Sequence, residues 1–210
     1  MNLWMQPLGP IQTNGYVLSN DKGEAIIFDP GMNPEPMLEH IADLQVKAIL
    51  LTHAHFDHIG GLEKVRQVTK APVYIHDLEA EWLTDPAQNG SLRWEMITGP
   101  ISCQPRDKAL RDGDLLVIAG FQIEVIHTPG HSPGSVSFYL SEPGILIAGD
   151  TLFQNSIGRT DLPGGDYDTL MTSLRDRIMV LPEEIKVYPG HGPATTIQQE
   201  LAFNPFISGR

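Results

Sequence analysis

The chain has 210 residues, 41% of them hydrophobic and 19% charged, a composition typical of a globular protein with a substantial buried core. Fourteen basic against 26 acidic residues give a net charge of −12, which disfavours nucleic acid as a partner because its phosphates are also negative. No run of about eighteen apolar residues occurs, so no transmembrane helix is expected. Cys103 is the only cysteine, which excludes an intramolecular disulfide and a thiolate-rich metal site.

The first residues of the chain lack the pattern of a secretory signal, which is a basic start followed by a long apolar stretch. We therefore expect a cytoplasmic protein. The length suits a single domain over residues 1–210.

The first half of the chain alternates predicted strands with predicted helices. Asn33 is a predicted N-cap with Pro34 at the first helical position, and apolar residues at helical spacing follow as far as Leu44. Helices are also predicted at residues 59–69 and 77–84. Residues 85–108 are rich in proline, glycine and polar residues, so their pattern is the hardest to interpret, and they are a candidate to cover a site. Apolar runs bounded by turn residues predict strands at residues 16–18, 25–28, 48–51 and 73–76.

The second half of the chain begins again with strands. Helices are predicted at residues 168–179 and 195–202. Strands interleaved with helices in both halves predict two packed sheets with helices outside, and the hairpin spacing argues against a purely parallel sheet. The predicted strands are residues 115–119, 122–126, 136–140, 145–148 and 186–188.

Polar residues of the metal-ligand type recur where predicted strands end. The segment THAHFDHIGG, residues 52–61, directly follows the apolar run 48–51 and places three histidines and an aspartate within six positions. The segments HTPGHSPGS, AGD and PGHGP follow later strands, and their glycine and proline residues allow the sharp turns that aim a side chain inward. The candidate ligands are His53, His55, Asp57, His58, His131, Asp150 and His191.

This set of side chains predicts a metal centre with two ions. Neutral imidazole and carboxylate are the ligands that borderline divalent metals prefer, and seven ligands exceed what one tetrahedral ion uses. Asp150 is the candidate bridge, because a carboxylate has two oxygens. In an extended segment, residues 53, 55 and 57 share one side and His58 points elsewhere, so one loop can supply both ions. The absence of thiolates favours an open, catalytic site over a structural one.

Other polar residues near these motifs have less specific predictions. Asp29 ends a strand as Asp150 does, and we expect it to orient a ligand or fix a turn. Arg159, Thr160 and Asp161 either orient ligands or form a structured loop with an ion pair between the arginine and the aspartate. Three histidines are predicted to be structural: His40, His76 and His127.

The motifs THAHFDH, TPGHSPGS, AGD and PGHGP resemble those of the metallo-β-lactamase superfamily in order and spacing, over nearly the whole chain. The resemblance implies an α+β fold, the four-layer αβ/βα sandwich, with two mixed sheets, helices on the outer faces and the site at one edge. Within the superfamily the chain is most similar to glyoxalase II, the hydroxyacylglutathione hydrolases. This resemblance implies one metal at His53, His55 and His131, a second at Asp57, His58 and His191, and Asp150 between them.

Two features depart from the glyoxalase II pattern. Full-length members have a helical C-terminal domain that supplies basic residues for glutathione, whereas here 19 residues follow His191 and Arg210 is the only basic one among them. A shorter, less selective relative is therefore expected. The segment IGRTDLPGGD, residues 157–166, also resembles persulfide dioxygenases, in which residues matching His53, His131 and Asp150 hold a single iron.

The expected activity is hydrolysis of a small thioester, such as S-D-lactoylglutathione, by a hydroxide that bridges two divalent ions. Zinc is the first candidate metal, with iron and manganese as alternatives. Asp57 is the candidate catalytic residue, because it can both bind metal and orient the nucleophile. The alternatives are iron-dependent oxidation of glutathione persulfide and a metal-dependent binding module without turnover. β-Lactam hydrolysis is less expected, because amide cleavage needs a protonated leaving nitrogen. Oligomeric state and the acyl and thiol groups stay open.

Overall fold

A computed structural model describes residues 1–209, so Arg210, the one basic residue after His191, lies outside the described part. The chain divides into two compact units, one comprising Met1–Leu110 with Ile118–Gly120 and the other Arg111–Val117 with the chain from Phe121 onward. Each unit is built on one six-stranded sheet. A single domain over residues 1–210 stays a prediction.

The sheet of the first unit has the strand order β1-β2-β3-β4-β5-β6. Strands β1 to β3 pair antiparallel, and β3 to β6 pair parallel, so the sheet is mixed. The carboxyl ends of β3, β4 and β5 therefore lie at the same edge. The strands are β1 (Asn2–Leu8), β2 (Thr13–Ser19), β3 (Glu24–Phe28), β4 (Gln45–Leu50), β5 (Val73–His76) and β6 (Lys108–Leu110).

Two helices of the first unit pack on its sheet through apolar side chains. Met37 and Ile41 of the first helical region and Leu62 and Val65 of α3 belong to one buried cluster with Ile49 of β4. Burial of each such side chain stabilises the fold by about 1.5–3 kcal/mol. Helices this short are marginally stable alone, so their packing on the sheet is what holds them in place. The helices are α1 (Glu35–His40), α2 (Phe56–Ile59), α3 (Leu62–Thr69) and α4 (Glu95–Thr98), with 3-10 turns at Asp77–Glu79, Glu81–Leu83 and Ser91–Trp94.

The sheet of the second unit has the order β14-β13-β10-β9-β8-β7. Strand β9 is antiparallel to both β8 and β10, and β10 is parallel to β13. Strands β8, β10 and β13 therefore run in one direction and end at the same edge. The strands are β7 (Leu115–Ile118), β8 (Phe121–His127), β9 (Val136–Leu140), β10 (Ile145–Gly149), β13 (Lys186–Pro189) and β14 (Thr195–Thr196), and β11 (Leu152–Phe153) pairs with β12 (Ser156–Ile157) as a small separate hairpin.

Helix α5 (Tyr167–Ser173), which continues as a π-helical turn over Leu174–Ile178, and helix α6 (Ile197–Phe203) cover the second sheet. Leu170 and Leu174 share a buried cluster with Leu146 and Val187 of the sheet. Two mixed sheets, each with its own helices, confirm the predicted α+β class. Across residues 1–209, no helix is both long enough and apolar enough to cross a bilayer.

Several predicted elements are wrong in detail. Pro34, not Asn33, is the N-cap of α1, and Asn33 has a left-handed φ of 54°. The helix predicted at residues 59–69 is interrupted at Gly60 and Gly61. Glycine is needed at position 61, since a Cβ there would lie 2.3 Å from the carbonyl oxygen of Gly31. The extended conformation predicted for residues 53–58 ends at His55, because α2 begins at Phe56.

Strands β1, β6 and β14 were not predicted from the sequence. Strand β1 lies at the edge of its sheet and contains Pro7, which removes one backbone donor. Strands β6 and β14 have three and two residues, which is too short for an alternating pattern.

Candidate metal centre

The ligand segment, residues 53–58, lies just beyond the carboxyl end of β4 in the first unit. His55 precedes α2 as its N-cap, and Asp57 and His58 lie within that short helix. The side chains of His53 and His58 are fully buried, and their ring centroids are 4.1 Å apart. The His53 and His55 rings are 4.8 Å apart. The fold thus gathers all the predicted ligands of this segment, although through a helical turn rather than an extended strand.

Asp29 orients two of these histidines from the end of the neighbouring strand β3. Its carboxylate accepts hydrogen bonds from the backbone N–H of Thr52 at 2.8 Å, from the Thr52 hydroxyl at 2.6 Å and from His58 Nδ1 at 2.9 Å. Since Thr52 gives its one hydroxyl proton to Asp29, it accepts from His53 Nδ1, 3.1 Å away. Both imidazoles then carry their proton on Nδ1, so Nε2 is the nitrogen that would coordinate a metal ion. The predicted orienting role of Asp29 is confirmed.

The carboxylate of Asp57 is fixed by a residue that the sequence did not indicate. The hydroxyl of Thr13, at the start of β2, donates a 2.7 Å hydrogen bond to Asp57 Oδ2. Oδ2 also lies 3.5 Å from His58 Nε2. A second unpredicted residue, Glu79, accepts a 2.6 Å hydrogen bond from the backbone N–H of Ala54. Both contacts join positions far apart in the chain, and only tertiary structure reveals them.

In the second unit, the three predicted ligands follow the three strands that end at one edge of the sheet. His131 lies in the turn after β8, Asp150 directly follows β10, and His191 follows β13. Asp150 Oδ2 lies 3.6 Å from Nε2 of His131 and 3.6 Å from Nε2 of His191. That separation is too long for a hydrogen bond, but it is close to the roughly 3.3 Å between two ligands bonded at about 2.0–2.1 Å to a tetrahedral ion. The central position of Asp150 fits a bridging carboxylate.

His131 is oriented by a hydrogen bond at Nδ1, as His53 and His58 are. Its Nδ1 donates a 2.8 Å hydrogen bond to the main-chain carbonyl of Arg159, which directs Nε2 toward Asp150. The Arg159 guanidinium pairs with both carboxylate oxygens of Asp161, at 2.7 Å each. The predicted ion pair is therefore present between the side chains of Arg159 and Asp161. Arg159 also contacts the candidate ligand His131, but through its main-chain carbonyl.

Close backbone packing holds the loops of the second unit. A Cβ on Gly158 would lie 1.9 Å from the carbonyl oxygen of Asp150, and one on Gly130 would lie 2.3 Å from the backbone nitrogen of Leu170 in α5. Asp166, the N-cap of α5, also donates its backbone N–H to the Gly130 carbonyl at 2.8 Å. No side chain larger than hydrogen fits at either glycine, so both turns are fixed by sterics.

Each of the seven predicted ligands belongs to a group of three histidines and aspartates whose ligand atoms lie within 4.8 Å of one another. The remaining histidines have other contacts within the described residues: His40 stacks on Trp4, His76 Nδ1 accepts from the Leu78 N–H, and His127 Nε2 donates to the Pro133 carbonyl. Imidazole nitrogens held by hydrogen bonds at Nδ1, together with carboxylates, fit a borderline divalent ion.

Known proteins resemble this chain over most or all of its length. The metallo-beta-lactamase superfamily model matches residues 8–191. The probable metallo-hydrolase YqgX of Bacillus subtilis is 46% identical over 97% of this chain and 96% of that protein. Hydroxyacylglutathione hydrolase GloC of Haemophilus influenzae is 34% identical over 100% of both.

Several solved structures are also similar to this chain over most or all of its length. The B3 metallo-beta-lactamase BLEG-1 has a TM-score of 0.94 and 51% identity over 99% of this chain and all of that one. A di-iron-bound form of TTHA1623 has a TM-score of 0.86 and 40% identity, with 97% and 99% covered. ETHE1 from Myxococcus xanthus has a TM-score of 0.83 and 27% identity, with 100% and 86% covered.

Two mixed sheets that carry histidine and aspartate ligands beyond their strand ends define a metal-dependent hydrolase. The chain belongs to the metallo-β-lactamase superfamily. The predicted superfamily and its fold are confirmed.

Proposed function

We propose that the protein hydrolyses small thioesters, with a hydroxyacylglutathione such as S-D-lactoylglutathione as the first candidate substrate. The observation that carries the substrate class is the likeness to hydroxyacylglutathione hydrolase GloC, which extends over the whole of both chains. The histidine and aspartate ligands are compatible with this chemistry, since a thioester needs an activated water and no redox cofactor.

The seven ligands are assigned to two ions. One ion is bound by His53, His55 and His131, the other by Asp57, His58 and His191, and Asp150 bridges them. The equal 3.6 Å distances from Asp150 to His131 and His191 support the bridge. Zinc is the first candidate metal because imidazole and carboxylate suit it. Iron is the next, since a relative of 40% identity has a di-iron form, and manganese is the third.

The protein's own groups prepare the site for hydrolysis. Divalent ions bound here would lower the pKa of a water from about 15.7 to about 7 and polarise the thioester carbonyl. Asp57, held by Thr13 at 2.7 Å, is the residue that orients the attacking water. As the new C–O bond forms, the C–S bond breaks and the thiol leaves as thiolate. Its pKa of about 8.5 makes a general acid unnecessary.

The decisive experiment is turnover of acyl-thiols by the metal-loaded protein. We expect zinc-loaded protein to release free thiol from S-D-lactoylglutathione, and we expect a chelator to stop and added metal to restore the reaction. A second, glutathione-free acyl-thiol separates thioester chemistry from glutathione recognition. No thiol release from either substrate by protein with a filled site would refute the proposal.

β-Lactam hydrolysis is a second candidate, favoured by the 51% identity to the BLEG-1 B3 metallo-beta-lactamase. An amide has a poorer leaving group than a thioester, because the leaving nitrogen must be protonated whereas the thiol can leave as thiolate. We therefore expect a chromogenic cephalosporin to be cleaved more slowly than the thioester. The opposite order of kcat/KM would make the β-lactam the substrate class.

Persulfide oxidation is the third candidate, favoured by the likeness to ETHE1 and by the segment at residues 157–166. The presence of Asp57, His58 and His191 beside the other ligands supports two ions rather than a single iron. We expect no oxygen uptake when the iron-loaded protein is mixed with glutathione persulfide. Stoichiometric uptake would reverse this ranking.

A further inference from the structure

A second segment of the first unit runs beside the metal-ligand segment and contacts it at successive residues. We call Glu79–Asn89 the support segment; it begins three residues after strand β5 ends. Glu79 accepts the backbone N–H of Ala54 at 2.6 Å. The Trp82 ring lies 5.9 Å from the His55 ring, with 40° between their planes. Ala54 and His55 are thus contacted in order by Glu79 and Trp82.

The contact pattern continues to the next residue of the ligand segment. The backbone N–H of Phe56 donates to the main-chain carbonyl of Asn89 at 3.0 Å. The Asn89 side chain is fully buried and donates to the carbonyls of Trp82 and Ile101, at 3.0 and 2.9 Å. The support segment is therefore tied to itself and to the chain that follows it, which makes it a rigid surface against which residues 54–56 rest.

Glu79 is the unusual member of this segment. Its carboxyl group is completely buried, and a buried carboxylate is costly unless hydrogen bonds replace its hydration. The short bond to Ala54 has the length of a strong, charge-assisted interaction. Leu83, which is also fully buried and lies in the same segment, packs in the apolar core, and an apolar residue is the usual occupant of a buried position. A carboxyl group kept in this environment indicates a specific task beyond filling space.

We propose that Glu79 is a positioning residue for the metal ligands His53 and His55. Ala54 lies between them, and the planar peptide group that carries its N–H joins it to His53. Holding this N–H fixes the backbone at His53 directly and restricts that of His55 one residue further on. By holding that N–H, Glu79 holds the two imidazoles at the spacing that one ion requires. This inference rests on the proposed metal assignment of His53 and His55, but it does not depend on the identity of the substrate.

The test compares metal binding by variants of Glu79 in the full chain. Glu79→Ala removes the acceptor, and we expect about 10–100-fold weaker cobalt binding in a chelator competition, with an altered visible spectrum of the bound cobalt. Glu79→Gln keeps an oxygen that can accept the Ala54 N–H, so it should restore affinity and spectrum close to the wild type. Glu81→Ala, at an exposed position of the same segment, is the matched control and should behave as wild type.

Two measurements distinguish a general loss of folding from misplaced ligands: the visible spectrum of the bound cobalt, and the cobalt affinity of a variant with a shorter acidic side chain. Glu79→Asp keeps the charge but withdraws the carboxylate by one methylene, so its cobalt affinity should fall below that of Glu79→Gln. This order holds even if Glu79→Ala cannot be obtained folded. Wild-type affinity and spectrum in Glu79→Ala, or a Glu79→Gln variant as weak as Glu79→Asp, would overturn the proposal. A wild-type protein that binds cobalt but cleaves no thioester would refute the proposed function and leave this comparison intact.

Discussion

The two groups of ligands are built in different ways. The N-terminal ligands lie on one short segment and are oriented by buried side chains, with Asp29 holding His58 and Thr13 holding Asp57. The C-terminal candidate ligands come from three separate loops, and close packing of Gly158 on the Asp150 carbonyl fixes the backbone at Asp150. The N-terminal group therefore depends on side-chain hydrogen bonds, which substitutions can remove one at a time. The C-terminal group depends on close backbone contact and, at His131, on a hydrogen bond to a main-chain carbonyl.

Removing the proposed bridge should have the largest effect, since it acts on both ions at once. For Asp150→Ala we expect kcat/KM for thioester hydrolysis to fall by at least about 10²–10³-fold and metal content to drop. Steady-state kinetics and elemental analysis measure the two quantities. His40→Ala replaces a histidine that stacks on Trp4 and should leave both unchanged. Full metal content and activity in Asp150→Ala would exclude a bridging role.

Breaking the backbone contact in the C-terminal group should have the next largest effect. In Gly158→Ala, the new Cβ would meet the Asp150 carbonyl oxygen at 1.9 Å and shift that residue. A displacement of about 1 Å can cost about 10²-fold in rate. Gly120→Ala is the control: its φ of 78° makes it strained by about 1–2 kcal/mol, but nothing lies within 4 Å. Activity should survive there despite the lower Tm. Equal losses of activity in both variants would mean that stability alone is responsible.

Removing one hydrogen bond from the N-terminal group should have a smaller effect. Thr13→Val keeps the shape of the side chain but deletes the hydroxyl that donates to Asp57. We expect about 10–100-fold weaker binding of one metal ion, measured by calorimetric titration of the metal-free protein. Thr13→Ser retains the donor and should bind as wild type does. If Thr13→Val also binds as wild type, the hydroxyl does not position Asp57.

The smallest effect is expected at Cys103, which is not one of the candidate ligands. Burial raises the pKa of its thiol to about 12, above the value of about 8.5 in an unfolded chain. The folded protein thus keeps the proton that the unfolded chain loses. The resulting stability is complete below pH 8.5 and is lost as pH rises toward 12. Urea unfolding at pH 7 and pH 10 should show a larger decline for wild type than for Cys103→Ala. Parallel declines would contradict the buried neutral thiol.

The positions of the candidate ligands could be read from the sequence because each follows an apolar strand and is flanked by turn residues. His131 and Asp150, for example, stand where β8 and β10 end, and parallel strand ends share an edge. The residues that orient ligands could not be predicted in the same way. Thr13 and Glu79 are 44 and 25 residues from their partners, and neither has a local pattern that marks it. The helical turn α2 was missed because four residues are too few to show periodicity.

The central claim is that ligands from both ends of the chain hold one pair of ions, and anomalous scattering from a crystal of the metal-loaded protein tests it most directly. We predict two anomalous peaks, each about 2.0–2.3 Å from its assigned imidazole nitrogens and carboxylate oxygens, with Asp150 bonded to both. A single peak that Asp57, His58 and His191 do not approach, or no peak beside His53, would contradict it.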